Sequence, residues 1–237
     1  MSEVCKWLHE QLEQLPHIKF PFKLEQLPEN GIYFFYEKDE IWGHGGDNPR
    51  IVRIGTHKQG NFRSRIKDHF LLDESKMNFD RDNPKPSDRS IFRKNIGRAL
   101  LNRDRDNYLQ IWEIDFTIRE NRESLGHKRD IDKEKRIEST ITRILRKRFS
   151  FRFIATESQI ERMGSKGLES SLIGTVANCK LCKPSDKWLG SYSPKIQIKE
   201  SGLWLVQHLK ASRINENDKE AILNSMRRAK EWITNSV

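Results

Sequence analysis

Over the first fifteen residues one face recurs every three or four positions, through Val4, Trp7, Leu8, Gln11, Leu12 and Leu15. That spacing predicts an amphipathic helix ending before Pro16. No period holds between Pro16 and Pro28. The run Gly31 to Tyr36, GIYFFY, is then aromatic and β-branched, and Ile51 to Gly55, IVRIG, has the same character after the turn-rich GHGGDNPR. The pair predicts two strands of a hairpin with a long connection. Alternation assigns their faces. With Ile32 and Phe34 on the same core as Val52 and Ile54, Tyr33 and Arg53 project from the opposite face, together with Phe35 and Ile51.

Asn61 to Phe70 has a helical pattern that stacks Arg65 and His69, four apart, on one side. Asp73 to Asp88, with Pro84 and Pro86, predicts a loop or insertion. Ile91 to Leu101 predicts a helix with Ile91, Asn95, Ile96, Ala99 and Leu100 inward, and Arg93, Lys94, Arg98 and Arg103 outward. Tyr108 to Phe116 alternates as an extra strand would. Ile131 to Arg148 is an amphipathic helix on Ile137, Ile141, Ile144 and Leu145, and Phe149 to Ala155 predicts a strand. LESSLIGTVANC, after Gly167, predicts a buried helix, and Asp218 to Ile233 closes the chain with another amphipathic one.

The charge balance adds a partner class. In 237 residues, 44 Lys+Arg stand against 34 Asp+Glu, a formal net charge of +10, which favours a polyanion over a merely solvated surface. The most basic stretches are Arg89, Arg93, Lys94 and Arg98, and then Arg143, Arg146, Lys147 and Arg148. Arg93, Lys94, Arg98, Arg146, Lys147 and Lys58 are the residues expected to meet phosphates. No apolar run approaches the roughly 18 residues of a membrane span, and no secretion-signal layout opens the chain, so a cytoplasmic location is expected. Three cysteines, Cys5, Cys179 and Cys182, do not make a disulfide framework. Cys179-Lys-Leu-Cys182 is half of a tetrahedral zinc site, but no second pair exists, and completion by His208 or His57 would need a fold assumption. Both cysteines are therefore expected to be small core or loop residues.

Gly31-Ile32-Tyr33, Arg53-Ile54-Gly55, Arg65 with His69 on a helix, and Glu169 in the run Glu-Ser-Ser-Leu-Ile together resemble the GIY-YIG nuclease family. The order strand, strand, helix with Arg, strand, helix with Glu is more specific than any three-residue match. The segments RIGTH, SIFR, and WLG followed by SGLW are similar to a bacterial subgroup that includes restriction-like nucleases. The resemblance implies an α/β fold of the α+β kind, with a small three-stranded mixed or antiparallel sheet flanked by helices. It implies one nuclease-like domain over 1–237: core 31–70 and 149–179, insertion 71–148, and terminal helical decorations 1–30 and 203–237. Two departures stand out. Arg53 replaces the family's second tyrosine, and the usual Asn beyond the Glu has no counterpart, Asn178 coming too early and Ser185 late.

The resemblance further implies hydrolysis of phosphodiester bonds in DNA at one divalent ion per site, Mg2+ or Mn2+, held by Glu169. Magnesium suits a lone carboxylate because it keeps several waters and takes substrate oxygens. Tyr33 would position or deprotonate the attacking water, Arg65 would hold the scissile phosphate, His69 would relay a proton, and Arg53 would grip a phosphate oxygen in place of the missing phenol. RNA is the alternative substrate, and a restriction or phage-defence role is the expected setting. One site per chain makes a homodimer or sequential nicking the routes to a double-strand break. The rival reading is a binding module on a decayed nuclease scaffold, motivated by Arg53.

Overall fold

Aromatic side chains at alternate positions of three long strands dictate how the sheet is covered. In the computed structural model, which describes residues 2–57, 60–157 and 167–235, β1 (Ile18–Lys19), β2 (Gly31–Ile41), β3 (Pro49–Gly55) and β4 (Phe149–Ala155) form one antiparallel sheet in the order β1-β4-β2-β3. The central β2 places Tyr33 opposite Gly55 and Phe153, and Phe35 opposite Arg53 and Phe151. Tyr33, Phe35 and Arg53 therefore share one face, as alternation requires. The register then slips between Phe35 and Tyr36, so Ile51 pairs with Tyr36 instead of lying beside Arg53. The two-residue β1 on the edge of β4 makes the sheet four-stranded, one strand more than the resemblance implies.

Among the described residues the α-helices are α1 (Glu3–Glu13), α2 (Phe62–Phe70), α3 (Pro86–Arg89), α4 (Ile91–Arg103), α5 (Leu109–Trp112), α6 (Arg119–Leu125), α7 (Ile131–Arg148), α8 (Leu168–Ala177), α9 (Ile196–Ser201) and α10 (Glu216–Asn235). Helix α2 covers the Tyr33 face. Its Phe62 packs on Phe153 and its Phe70 on Phe151, with ring centroids 5.8 Å apart in each case. Helix α8 packs against β3 and α10 against β4. The core is continuous from α1 through the sheet to α10.

Tyr108 to Phe116 is not a strand. Its apolar residues Trp112 and Phe116 are four apart and both fully buried, and the segment winds into α5. Trp112 lies over Gly97 of α4, where a Cβ would come within 2.4 Å of the indole, and its Nε1 donates to the Lys94 carbonyl at 3.2 Å. Period-two alternation over so short a stretch could not separate the two readings.

The faces predicted for α4 also need correction. Arg93 is fully buried, Lys94 and Arg98 nearly so, while Ile91 is 44% exposed. The helix is enclosed by α3, α5 and α7, and each cation meets a carboxylate inside. Arg93 pairs with Glu138 of α7 at 2.7 Å, Lys94 with Asp88 at 3.1 Å and Arg98 with Glu113 at 2.6 Å. Buried charges persist only when paired, and these three are engaged internally instead of facing a phosphate backbone.

Candidate active site

The first motif strand begins beneath α2, and two glycines explain how closely the elements approach there. A Cβ on Gly55 would sit 2.4 Å from the Tyr33 hydroxyl, so the missing side chain is what lets the phenol lie across β3. A Cβ on Gly31 would come 2.6 Å from the Ile154 carbonyl and 3.3 Å from the Phe62 ring. Tyr33, 1% exposed, then reaches His69 of α2, with Oη to Nε2 at 3.0 Å. On its other side the imidazole Nδ1 lies 2.8 Å from Ser90 Oγ, and that hydroxyl caps α4 by accepting the Arg93 N–H at 3.4 Å. Tyr33, His69 and Ser90 thus form one hydrogen-bonded row from β2 through α2 to the start of α4.

Burial, and then the positive charges of Arg53, Arg65 and Arg93, hold the His69 pKa well below the usual imidazole value. A neutral ring has one donor and one acceptor nitrogen. Arg93 also donates to the His69 carbonyl at 3.1 Å, fixing the helix that carries the imidazole. Arg65, one turn before His69 and half-buried, donates Nη1 to the Arg89 carbonyl at the end of α3 at 3.0 Å.

Arg53 lies in this cluster but points elsewhere. Its guanidinium stacks 4.9 Å above the Phe92 ring and donates to the carbonyl of Trp204. The Trp204 N–H donates to the Val52 carbonyl at 2.7 Å, so the SGLW segment is strapped onto β3. Nearby, the indoles of Trp188 and Trp204 both donate to Glu37, at 3.1 and 3.2 Å, and burial pushes that carboxyl's pKa up. The four subgroup segments therefore converge: Arg53 of RIGTH, Ser90 and Phe92 of SIFR, Trp188 of WLG and Trp204 of SGLW. A cleft of about 850 Å3 opens beside Glu37, Trp188 and Arg148 but is not lined by Tyr33, Arg65, His69 or Glu169.

Glu169 is half-buried in the first turn of α8, the helix packed on β3. Arg146 is held by the Phe70 and Leu71 carbonyls and by Glu74, whereas Lys147 is exposed. Lys58 lies outside the described residues. His57 accepts the Gly31 N–H at 3.3 Å and so braces the motif strand. Sequence reading missed Ser90, although a serine just before an apolar helical run is a cap signal. It also missed Glu37, whose partners come from more than 100 residues away.

Neither curated proteins nor solved structures gave a match to this chain. The family model described as the GIY-YIG domain matches residues 3–235, a span that takes in the intervening helices and both termini. Both motif strands, the arginine-bearing α2 and the glutamate-bearing α8 fall inside that span, and the chain belongs to the GIY-YIG domain family.

Proposed function

We propose that the chain is an endonuclease that hydrolyses phosphodiester bonds in DNA with a divalent metal, in a restriction or phage-defence setting. Membership of the family supports nuclease-type activity on nucleic acid. The observation that carries the finer reading is the row Tyr33–His69–Ser90 with Arg65 one turn away. Glu169, a hard oxygen donor near the start of a helix, is the proposed ligand of Mg2+ or Mn2+. Such a donor fits an ion that takes few protein ligands. The ion would supply positive charge to the transition state when bound.

The chain's own groups divide the remaining work. The depressed pKa of His69 disfavours moving the Tyr33 proton onto its ring. His69 therefore orients the Tyr33 hydroxyl. With Nδ1–H donating to Ser90, Nε2 accepts a hydrogen bond from the Tyr33 hydroxyl, and the oxygen lone pairs of Tyr33 are left to hold the attacking water. Arg65 holds the scissile phosphate with the part of its fork not given to Arg89. Arg53 does not substitute for the second phenol; it fixes Trp204 and adds positive potential.

Purified protein incubated with supercoiled plasmid and Mg2+ or Mn2+ is expected to nick it, with Glu169→Ala abolishing nicking while retaining DNA binding. Binding by the wild-type chain without nicking under either metal would instead favour a binding module, the reading that Arg53 motivates. Competition with RNA of equal length decides the polymer.

A further inference from the structure

Three segments far apart in the chain meet at a second chemical centre. Helix α1 brings Cys5, the β2–β3 connection brings His44, and the turn after α8 brings Cys179 and Cys182; one donor atom from each lies within 4.8 Å of all the others. Cys5 Sγ is 3.9 Å from Cys182 Sγ, and Cys179 Sγ is 3.4 Å from His44 Nε2. Zinc bonds of about 2.3 Å to sulfur and 2.0–2.1 Å to nitrogen, set at tetrahedral angles, require separations of about 3.8 Å between sulfurs and about 3.5 Å between sulfur and nitrogen. The two distances match those values. The three cysteines are buried and His44 is half-buried.

Gly43 lets the β2–β3 connection lie against the turn that carries Cys179 and Cys182, because a Cβ there would overlap the Leu181 carbonyl. A neighbouring histidine is already committed: His9 Nε2 accepts the Ile51 N–H at 3.3 Å, which leaves Nδ1 to donate to the Cys5 carbonyl at 2.9 Å. Ordinary core cysteines behave as small apolar groups; that role gives no reason for an imidazole nitrogen to point among three sulfurs.

We propose that Cys5, His44, Cys179 and Cys182 bind one zinc ion in a closed Cys3His site. Four protein ligands leave no open position, so the site is structural, and soft thiolates select zinc over magnesium. The ion ties α1 and the turn two residues beyond α8 to the β2–β3 connection. Cys179 and Cys182 are buried in the core, as small core or loop residues should be; the proposed site adds a ligand role completed by Cys5 and His44, which no local spacing could reveal.

Protein produced in zinc-supplemented medium and purified without chelator is expected to carry close to one zinc per chain by plasma emission. A mercurial that blocks thiols should release it, and a chelator should lower the melting temperature. Cobalt added to the metal-stripped chain should give the intense visible bands of tetrahedral Co2+ with sulfur-to-cobalt charge transfer. Zinc should be lost in Cys182→Ser and His44→Ala and kept in Glu169→Ala, so the outcome is independent of catalysis. Wild-type chain with less than a tenth of a zinc, three freely titrating thiols and no cobalt bands would overturn the site. Full zinc retained by Cys182→Ser would do the same, and both wild-type readings stand even if a variant fails to fold.

Discussion

The guanidinium of Arg53 stacks on Phe92 and bonds the Trp204 carbonyl, where the family's second tyrosine would stand. Arg53→Met keeps the stem but leaves that buried carbonyl without its donor, so a loss of about 1–3 kcal/mol is expected by denaturant unfolding. Tyr33→Phe removes only a hydroxyl but strands the buried His69 Nε2, so nicking should fall on the order of 100-fold or more beside a stability loss of about 1–3 kcal/mol; rates within about twofold of wild type would remove Tyr33 from the chemistry. Gly55→Ala tests the same hydroxyl from beneath. Its methyl would need space that Tyr33 Oη occupies, and the expected cost is about 1–3 kcal/mol in stability together with lost nicking. His69 gives a pH signature. Its folded pKa lies below the unfolded value near 6.5, so the unfolded chain binds the extra proton and stability is complete only above that value. Melting temperature should fall as pH drops below about 6.5, with a shallower fall in His69→Gln. Buried His9 and half-buried His17, each with its pKa pushed down to about 4 by desolvation, should contribute the residual slope.

Helix α4 and α7 are joined through the interior by Arg93 and Glu138, both fully buried. Arg93 also bonds Thr142 at 2.8 Å and the His69 carbonyl, so the pair links the intervening helices to the helix that carries the site. Glu138→Ala would strand a buried guanidinium, and a loss of about 3–5 kcal/mol is expected, whereas Arg93→Met with Glu138→Leu should recover most of it. A double variant as unstable as the single one would show that shape, not charge, holds α4. For the same reason deletion of the 71–148 segment would undo the site's support, since its removal would take Ser90 and Arg93 from His69. What was legible in the sequence follows the same physics. The β2–β3 hairpin and β4 could be read from short runs of aromatic and β-branched residues, and α2 and α7 because one face of each is apolar at helical period. The faces of α4 could not, because a helix buried all round carries its cations inside, and their partners Asp88, Glu113 and Glu138 lie on three other elements. The motif residues of the site were visible individually; Ser90, Cys5 and His44 were not, since their roles exist only through neighbours brought together by the fold.

At the scale of the whole molecule, the formal charge of +10 is distributed unlike the basic stretches of the sequence. No helix among the described residues is long and apolar enough to cross a membrane. A small part of the positive charge is internal: Arg50, Arg93, Lys94, Arg98 and Arg129 are buried, and each meets a carboxylate. At the C-terminal end of α7, Arg148 is paired with Asp39 at 3.3 Å, and Arg146 is held by backbone carbonyls. Arg143 and Lys147 are four apart on the exposed face of that helix. A bland account exists for Lys147, because cations in a last turn favour the helix dipole; that account predicts an effect on stability alone. A polyanion bound along α7 predicts something different. Every phosphate that the protein ceases to neutralise flattens the dependence of log K on log salt by about 0.9 for duplex DNA. Arg143→Gln with Lys147→Gln should therefore reduce the slope by about 2 and weaken binding most at low salt, while plasmid nicking at saturating DNA persists. An unchanged slope would move the nucleic-acid path off α7 and leave the half-buried Arg65 side of the Tyr33–His69 row as the approach to test next.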